Sequence, residues 1–125
     1  MKVEGRSNSY RDLLIWQKYM DLTKMVYQIT YSFPKDEVYG LTSQIRRCAV
    51  SIPSNIAEGR GRNSNKEFIR FLQISLGSLY GLQTQLELAV SFKYVNNIDT
   101  INGLALEIEK MINSFIRSKR ENNVN

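Results

Sequence analysis

The run "SQIRRCAVSIPSNIAEGRGRNSNKEF", Ser43 to Phe68, decides the fold and raises the question of function. Ile45, Cys48, Ile52 and Ile56 recur in it at the spacing of one helix side. Pro53 stands inside that pattern without an N–H for the carbonyl of Ala49, so one helix bond is missing and the chain should bend. Two arrangements satisfy this. Either one helix continues with a kink, or Ser51 caps a fresh helix with Pro53 in its first turn. Ile56 continues the apolar side beyond Ile52, which favours one kinked helix. Gly59 and Gly61 then end it. "SNKE" at 64–67 reads as a capping box, Ser64 capping the next helix while Glu67 reaches back.

Working outward, three more helices can be read. Ile15, Tyr19, Leu22, Val26, Ile29 and Phe33 alternate at steps of four and three, beside a second stripe of Leu13, Trp16, Met20 and Tyr27. That apolar face is wider than one seam needs. Phe33 precedes Pro34 and is pushed from helical dihedrals, so the first helix covers about 11–32. The second covers about 36–60, with Asp36 and Glu37 at the positive end of its dipole and a seam of Val38, Leu41, Ile45, Cys48 and Ile52. The third, about 64–92, carries the strongest period in Phe68, Leu72, Ser75, Leu79, Leu82, Leu86 and Ala89. The fourth, about 98–120, turns Ile101, Leu104, Ile108, Met111 or Ile112, and Phe115 inward. Long helices joined by short loops predict an all-α fold: one antiparallel up-down-up-down four-helix bundle over residues 1–125.

Composition narrows the chemistry. Two prolines and seven glycines in 125 residues leave little material for turns, in keeping with long helices. The chain has no histidine and a single cysteine, Cys48, which argues against a zinc site, an internal disulfide framework and histidine-based catalysis. Cys48 in a seam reads as a small hydrophobe, and neither metal nor cofactor is expected. The first twenty residues lack the apolar core of a signal peptide, and no stretch reaches the ~18 apolar residues of a membrane span. A cytoplasmic protein with no membrane partner is the expectation.

Charge is segregated. From Gln44 to Arg70 the six cations Arg46, Arg47, Arg60, Arg62, Lys66 and Arg70 meet two acids, Glu58 and Glu67, leaving +4 of the chain's +5. From Phe71 to Ile116 Lys93 and Lys110 are outnumbered by Glu87, Asp99, Glu107 and Glu109. Arg117, Lys119 and Arg120 then close the fourth helix. Clustered arginines are the footprint expected for a phosphate backbone, and all nine cations are candidates for nucleic-acid contact. Cations at a helix C-terminus also suit its dipole, and arginine–glutamate pairs can serve subunit assembly instead.

Smaller features resolve toward structure. "GRGRN", Gly59 to Asn63, has no preceding strand and too few repeats for a phosphate loop or an arginine–glycine motif, so it reads as a terminator and turn. Asn55 and Glu58 share a helix side with Ser51 and Ser54 and read as hydrogen-bonding across an interface or satisfying backbone near the Pro53 gap. Tyr19, Tyr27, Tyr31 and Trp16 can stack bases but stand at core and interface spacing. Gly77 and Gly81, each costing ~1 kcal/mol relative to alanine, lie on one helix face where a close approach can compensate, with Tyr80 beside them. Subunits are expected to meet on Leu13, Trp16 and Met20, at Asn55 and Glu58, and on the Gly77, Tyr80 and Gly81 side.

Three segments carry a family likeness: "DLLIWQKYMDL" (Asp12 to Leu22), "SFPKDEVYGLTSQIRRCAVSIPSNIAEGRGR" (Ser32 to Arg62) and "EFIRFLQISLGSLYGLQTQLELA" (Glu67 to Ala89). Through them the chain resembles the bacterial 23S rRNA-intervening sequence proteins, also called four helix bundle proteins. The resemblance implies a left-handed bundle, a second helix continuous through Pro53, and a ring-like homopentamer. Founding members are encoded within insertions in 23S rRNA genes. A related protein is the basic accessory factor of diversity-generating retroelements, which engages nucleic acid and a reverse transcriptase. Cys48 replaces a small alanine of the family pattern, and Gly81 replaces an acidic residue.

The functional expectation is a homo-oligomeric, non-catalytic scaffold or accessory protein. It would be associated with RNA or DNA, and through them with a nucleic-acid enzyme. The alternative is a protein–protein adaptor whose arginines serve assembly alone.

Overall fold

A helix forms where its end groups find partners, and at both ends of the first loop the computed structural model, which describes residues 9–123, departs from the expected bounds. Its helices are α1 Leu14–Thr30, α2 Leu41–Arg60, α3 Asn65–Ser91 and α4 Asp99–Asn123. No strand occurs among the described residues. Tyr10–Asp12 forms a 3-10 turn capped by Ser9, so α1 starts later than residue 11. Lys35–Glu37 is likewise a 3-10 turn, and α2 starts at Leu41 rather than near Asp36. Glu37 serves that start from outside the helix: its Oε1 accepts the Leu41 N–H at 2.9 Å. Val38, expected in the seam, is therefore 53% exposed.

The proline question resolves within α2, which is one helix with Pro53 buried inside it. The Ala49 carbonyl, deprived of its helix donor, accepts the Thr23 hydroxyl of α1 at 3.2 Å. Ser54 Oγ donates to Val50 O at 2.8 Å, Asn55 Nδ2 to Ser51 O at 2.8 Å, and Ser75 Oγ of α3 to Ile52 O at 3.0 Å. Four successive carbonyls around the proline thus receive side-chain donors, which is how a helix survives a missing bond.

At the far end of α3, Lys93 takes the left-handed conformation (φ 65°), which lets the Tyr94 N–H reach back to Ala89 O at 2.9 Å. Ser64 caps α3 by accepting from Glu67 N at 3.1 Å, but Glu67 turns its carboxylate to Arg70 rather than back across the cap.

α2 packs on α1 and α3, and α4 packs on α3 and α1, an arrangement consistent with a four-helix bundle. The expected α3 seam is buried throughout, and Leu72, Leu79, Leu82 and Leu86 are fully enclosed. Each such leucine contributes about 1.5–3 kcal/mol by leaving water. Ile45, Ile52, Ile56, Tyr19, Leu22, Val26, Ile108 and Ile112 complete the core; Met111 lies only at its edge. Gly59 is not a terminator. It sits inside α2 where an added Cβ would lie 2.5 Å from Phe71 Cβ, so its lack of a side chain lets α3 close in. Cys48 and Gly81, the two departures from the family pattern, are spatial neighbours: a Cβ at Gly81 would meet Cys48 Sγ at 3.6 Å.

Candidate functional site

Cations form a site only if the fold brings them together. The short link from Arg60 to Asn65 joins α2 to α3 and holds Arg60, Arg62, Lys66 and Arg70 at one end of the molecule. The last turns of α4 reach the same end, where Asn65 Nδ2 donates to Lys119 O at 3.5 Å. Two buried phenylalanines form the floor. The guanidinium of Arg60 stands 5.9 Å from the Phe68 ring centre, and Arg62 and Arg70 stand 5.0 and 4.8 Å from that of Phe71. Lys119 Nζ lies 5.8 Å from Phe68 and 5.2 Å from Phe115. Ring faces favour cations over them and hold their heads in fixed positions. Lys66, Arg70 and Arg120 line an open depression of ≈ 410 Å³ together with Glu67, Ile69 and Gln73. Arg117 is exposed on the same last turns of α4.

Both acids of the opening stretch are used within this end. Arg62 Nη2 lies 2.6 Å from Glu58 Oε2, and Arg70 Nη2 lies 3.5 Å from Glu67 Oε1. These pairs are solvent-exposed and contribute little stability, so a phosphate can displace them at small cost.

Arg46 and Arg47 stand apart. Fourteen residues of helix place Arg46 about 21 Å from Arg60. Arg46 Nε donates to Thr30 Oγ1 at 2.9 Å with its guanidinium 4.5 Å from the Tyr27 ring centre, and Arg47 Nη2 donates to Ser43 Oγ at 3.2 Å. The six cations read as one run therefore separate into four and two, and the α4 group joins the four.

The residues expected at subunit contacts are scattered. Leu13, just before α1, and Trp16 and Met20 on it are half-buried, with Trp16 edge-on to Tyr10 at 5.2 Å. Asn55 bonds Ser51 within its own helix, and Glu58 holds Arg62. Gly77 is exposed, and a Cβ there would meet nothing within 4 Å, so no close approach among the described residues explains it. Tyr80 is 44% exposed and donates its hydroxyl to Glu109 Oε2 at 2.7 Å.

The shifted titrations lie away from the basic end. Glu37 is held below the usual carboxylate range by the Leu41 N–H and then by the Tyr94 hydroxyl, and that same bond raises Tyr94. The bond to Glu109 raises Tyr80, and burial pushes Tyr19 up. No group of three His, Cys, Asp or Glu side chains among the described residues can hold a metal ion. No described helix is long and apolar enough to cross a membrane. Sequence reading missed Phe71 as a floor for cations; its position between Arg70 and the seam residue Leu72 was the available signal.

The sequence profile described as 23S rRNA-intervening sequence protein matches residues 11–114. A solved structure similar to this chain is a protein of unknown function from the S23 ribosomal protein family of Bacteroides thetaiotaomicron VPI-5482. It has 25% identity and a TM-score of 0.73, over 82% of this chain and 98% of that one. No curated protein matches the chain. The chain belongs to the 23S rRNA-intervening sequence protein family.

Proposed function

We propose that this member of the family is a cytoplasmic, non-catalytic scaffold or accessory protein whose basic end grips the phosphates of RNA or DNA. The observation that carries the reading is the convergence of α2, α3 and α4 on one end, which unites Arg60, Arg62, Lys66, Arg70, Lys119 and Arg120. Arg62 and Arg70, set on the Phe71 ring and paired with exposed carboxylates, exchange those partners for phosphate oxygens readily. The subunit is an antiparallel bundle. Support comes from pairs whose numbers rise on one helix and fall on the next: Cys48 with Gly81, Ser51 with Ser78, and Gly59 with Phe71.

The working form is a ring-like homo-oligomer, a pentamer, as the family resemblance implies. Five copies of a +5 chain carry about +25, and linked weak contacts gain avidity. A nucleic-acid enzyme is the proposed protein partner.

A second reading, a protein adaptor, draws on the outer face of α3. There Ile74, Tyr80 and Leu88 are exposed beside the open Gly77. Anisotropy titration of structured RNA and duplex DNA, with oligomer mass measured in the same buffers, separates the two. Binding that is lost in Arg60→Ala/Arg62→Ala supports the scaffold. An intact oligomer that binds neither nucleic acid at low salt gives the adaptor its place.

A further inference from the structure

Away from the basic end, two adjoining cavities open where the end of α1 meets the start of α2. The first, ≈ 380 Å³, has Thr30, Lys35, Thr42 and Arg46 in its lining; the second, ≈ 400 Å³, shares Thr42 and Arg46 and adds Arg47. Thr42 is 6% exposed, and its Oγ1 has no hydrogen-bond partner among the described residues. A buried hydroxyl without a partner carries a desolvation cost that nothing offsets. Arg46 follows four residues later on the same face of α2. Its guanidinium is fixed twice, by Nε on Thr30 Oγ1 at 2.9 Å and by the Tyr27 ring at 4.5 Å, which leaves the terminal nitrogens of the fork pre-positioned.

Acids stay out of both cavity linings. No Asp or Glu lines either cavity, and among the described residues no carboxylate lies within ion-pair distance of Lys35, Arg46 or Arg47. Of the two acids that follow Lys35, Asp36 lines neither cavity, and Glu37 is turned to Leu41 N and the Tyr94 hydroxyl.

From this constellation we propose an oxyanion site that takes a phosphate monoester, with the Thr42 hydroxyl and the Arg46 fork donating to its oxygens. Three cations with no acid in the cavity linings suit a dianion better than a single carboxylate charge. The same chemistry is offered by free phosphate and by the phosphorylated end of a nucleic-acid chain. The site stands about 21 Å from Arg60 along α2 and does not rest on the basic end.

The test uses the full chain. Calorimetric titration with inorganic phosphate at low ionic strength is followed by anisotropy with one oligonucleotide carrying either a 5′-phosphate or a 5′-hydroxyl. Saturable phosphate binding is expected, weakened about tenfold or more by Thr42→Val and by Arg46→Gln and kept by Thr42→Ser. Arg60→Ala/Arg62→Ala should leave it unchanged, which separates this site from the basic end. A 5′-phosphate preference identifies a chain end as the source, and equal binding of the two oligonucleotides identifies the free ion. Thr42→Val is nearly isosteric, so helix content by circular dichroism confirms that the fold persists. Absence of saturable phosphate binding, or binding undiminished in both folded variants, overturns the proposal.

Discussion

Thr23→Val tests how the helix carries its proline. The Thr23 hydroxyl shares its proton between Tyr19 O at 2.9 Å and Ala49 O at 3.2 Å. Only the second acceptor lacks a helix donor, because residue 53 is proline. Valine keeps the shape and removes the hydroxyl, leaving the carbonyl of buried Ala49 unpartnered at a cost of about 1–3 kcal/mol. The bond lost is long and its proton is shared with Tyr19 O, which places the expected loss near the lower end, about 1–2 kcal/mol. For a chain of this size that lowers the midpoint of thermal unfolding by roughly 4 °C per kcal/mol. The decisive assay is a double-mutant cycle with Pro53→Ala, read by urea unfolding at one protein concentration. Alanine restores an N–H for Ala49 O, so the Thr23→Val penalty should shrink by about 1 kcal/mol in that background. Equal penalties in both backgrounds would refute the account of the proline.

Further outcomes follow from particular contacts. Glu37 has its folded value depressed below 4.5, so its contribution is complete above that value and fades as pH falls through the depressed one. The stability gap between the protein and Glu37→Gln should therefore be constant near neutral pH and close in acid; a gap unchanged down to pH 3 contradicts the capping role. Gly59→Ala forces a Cβ to 2.5 Å from Phe71 and should cost about 1–3 kcal/mol in urea unfolding, with cations on that ring displaced. Gly77 faces open space within the subunit, so Gly77→Glu should keep its helix content. Lower oligomer mass is expected if subunits meet on that face, and unchanged mass removes it from the interface.

Much of the fold was legible because periodicity reports burial directly. Every residue of the α3 seam from Phe68 to Ala89 is buried, and Ile52 and Ile56 continue one buried side past Pro53. The start of α2 was misplaced because acids before a helix look alike in sequence whether they lie in its first turn or cap it from outside, as Glu37 does. The role of Thr23 was invisible, since its partner Ala49 is 26 positions away on another helix. Density along the chain also misled about density in space. Arg46 and Arg60 share one charged run yet lie several helix turns apart, while Lys119 and Arg120, distant in sequence, join the basic end.

The most direct measurement of the central claim is the salt dependence of duplex DNA affinity for the unmodified protein and for Lys66→Ala/Arg70→Ala/Arg120→Ala. Each phosphate contact removed should flatten the slope of log affinity against log salt by about 0.9, so the triple variant should show a clearly shallower line. An identical slope, or no binding by either protein at low salt, would contradict the claim that this end of the bundle meets the phosphate backbone.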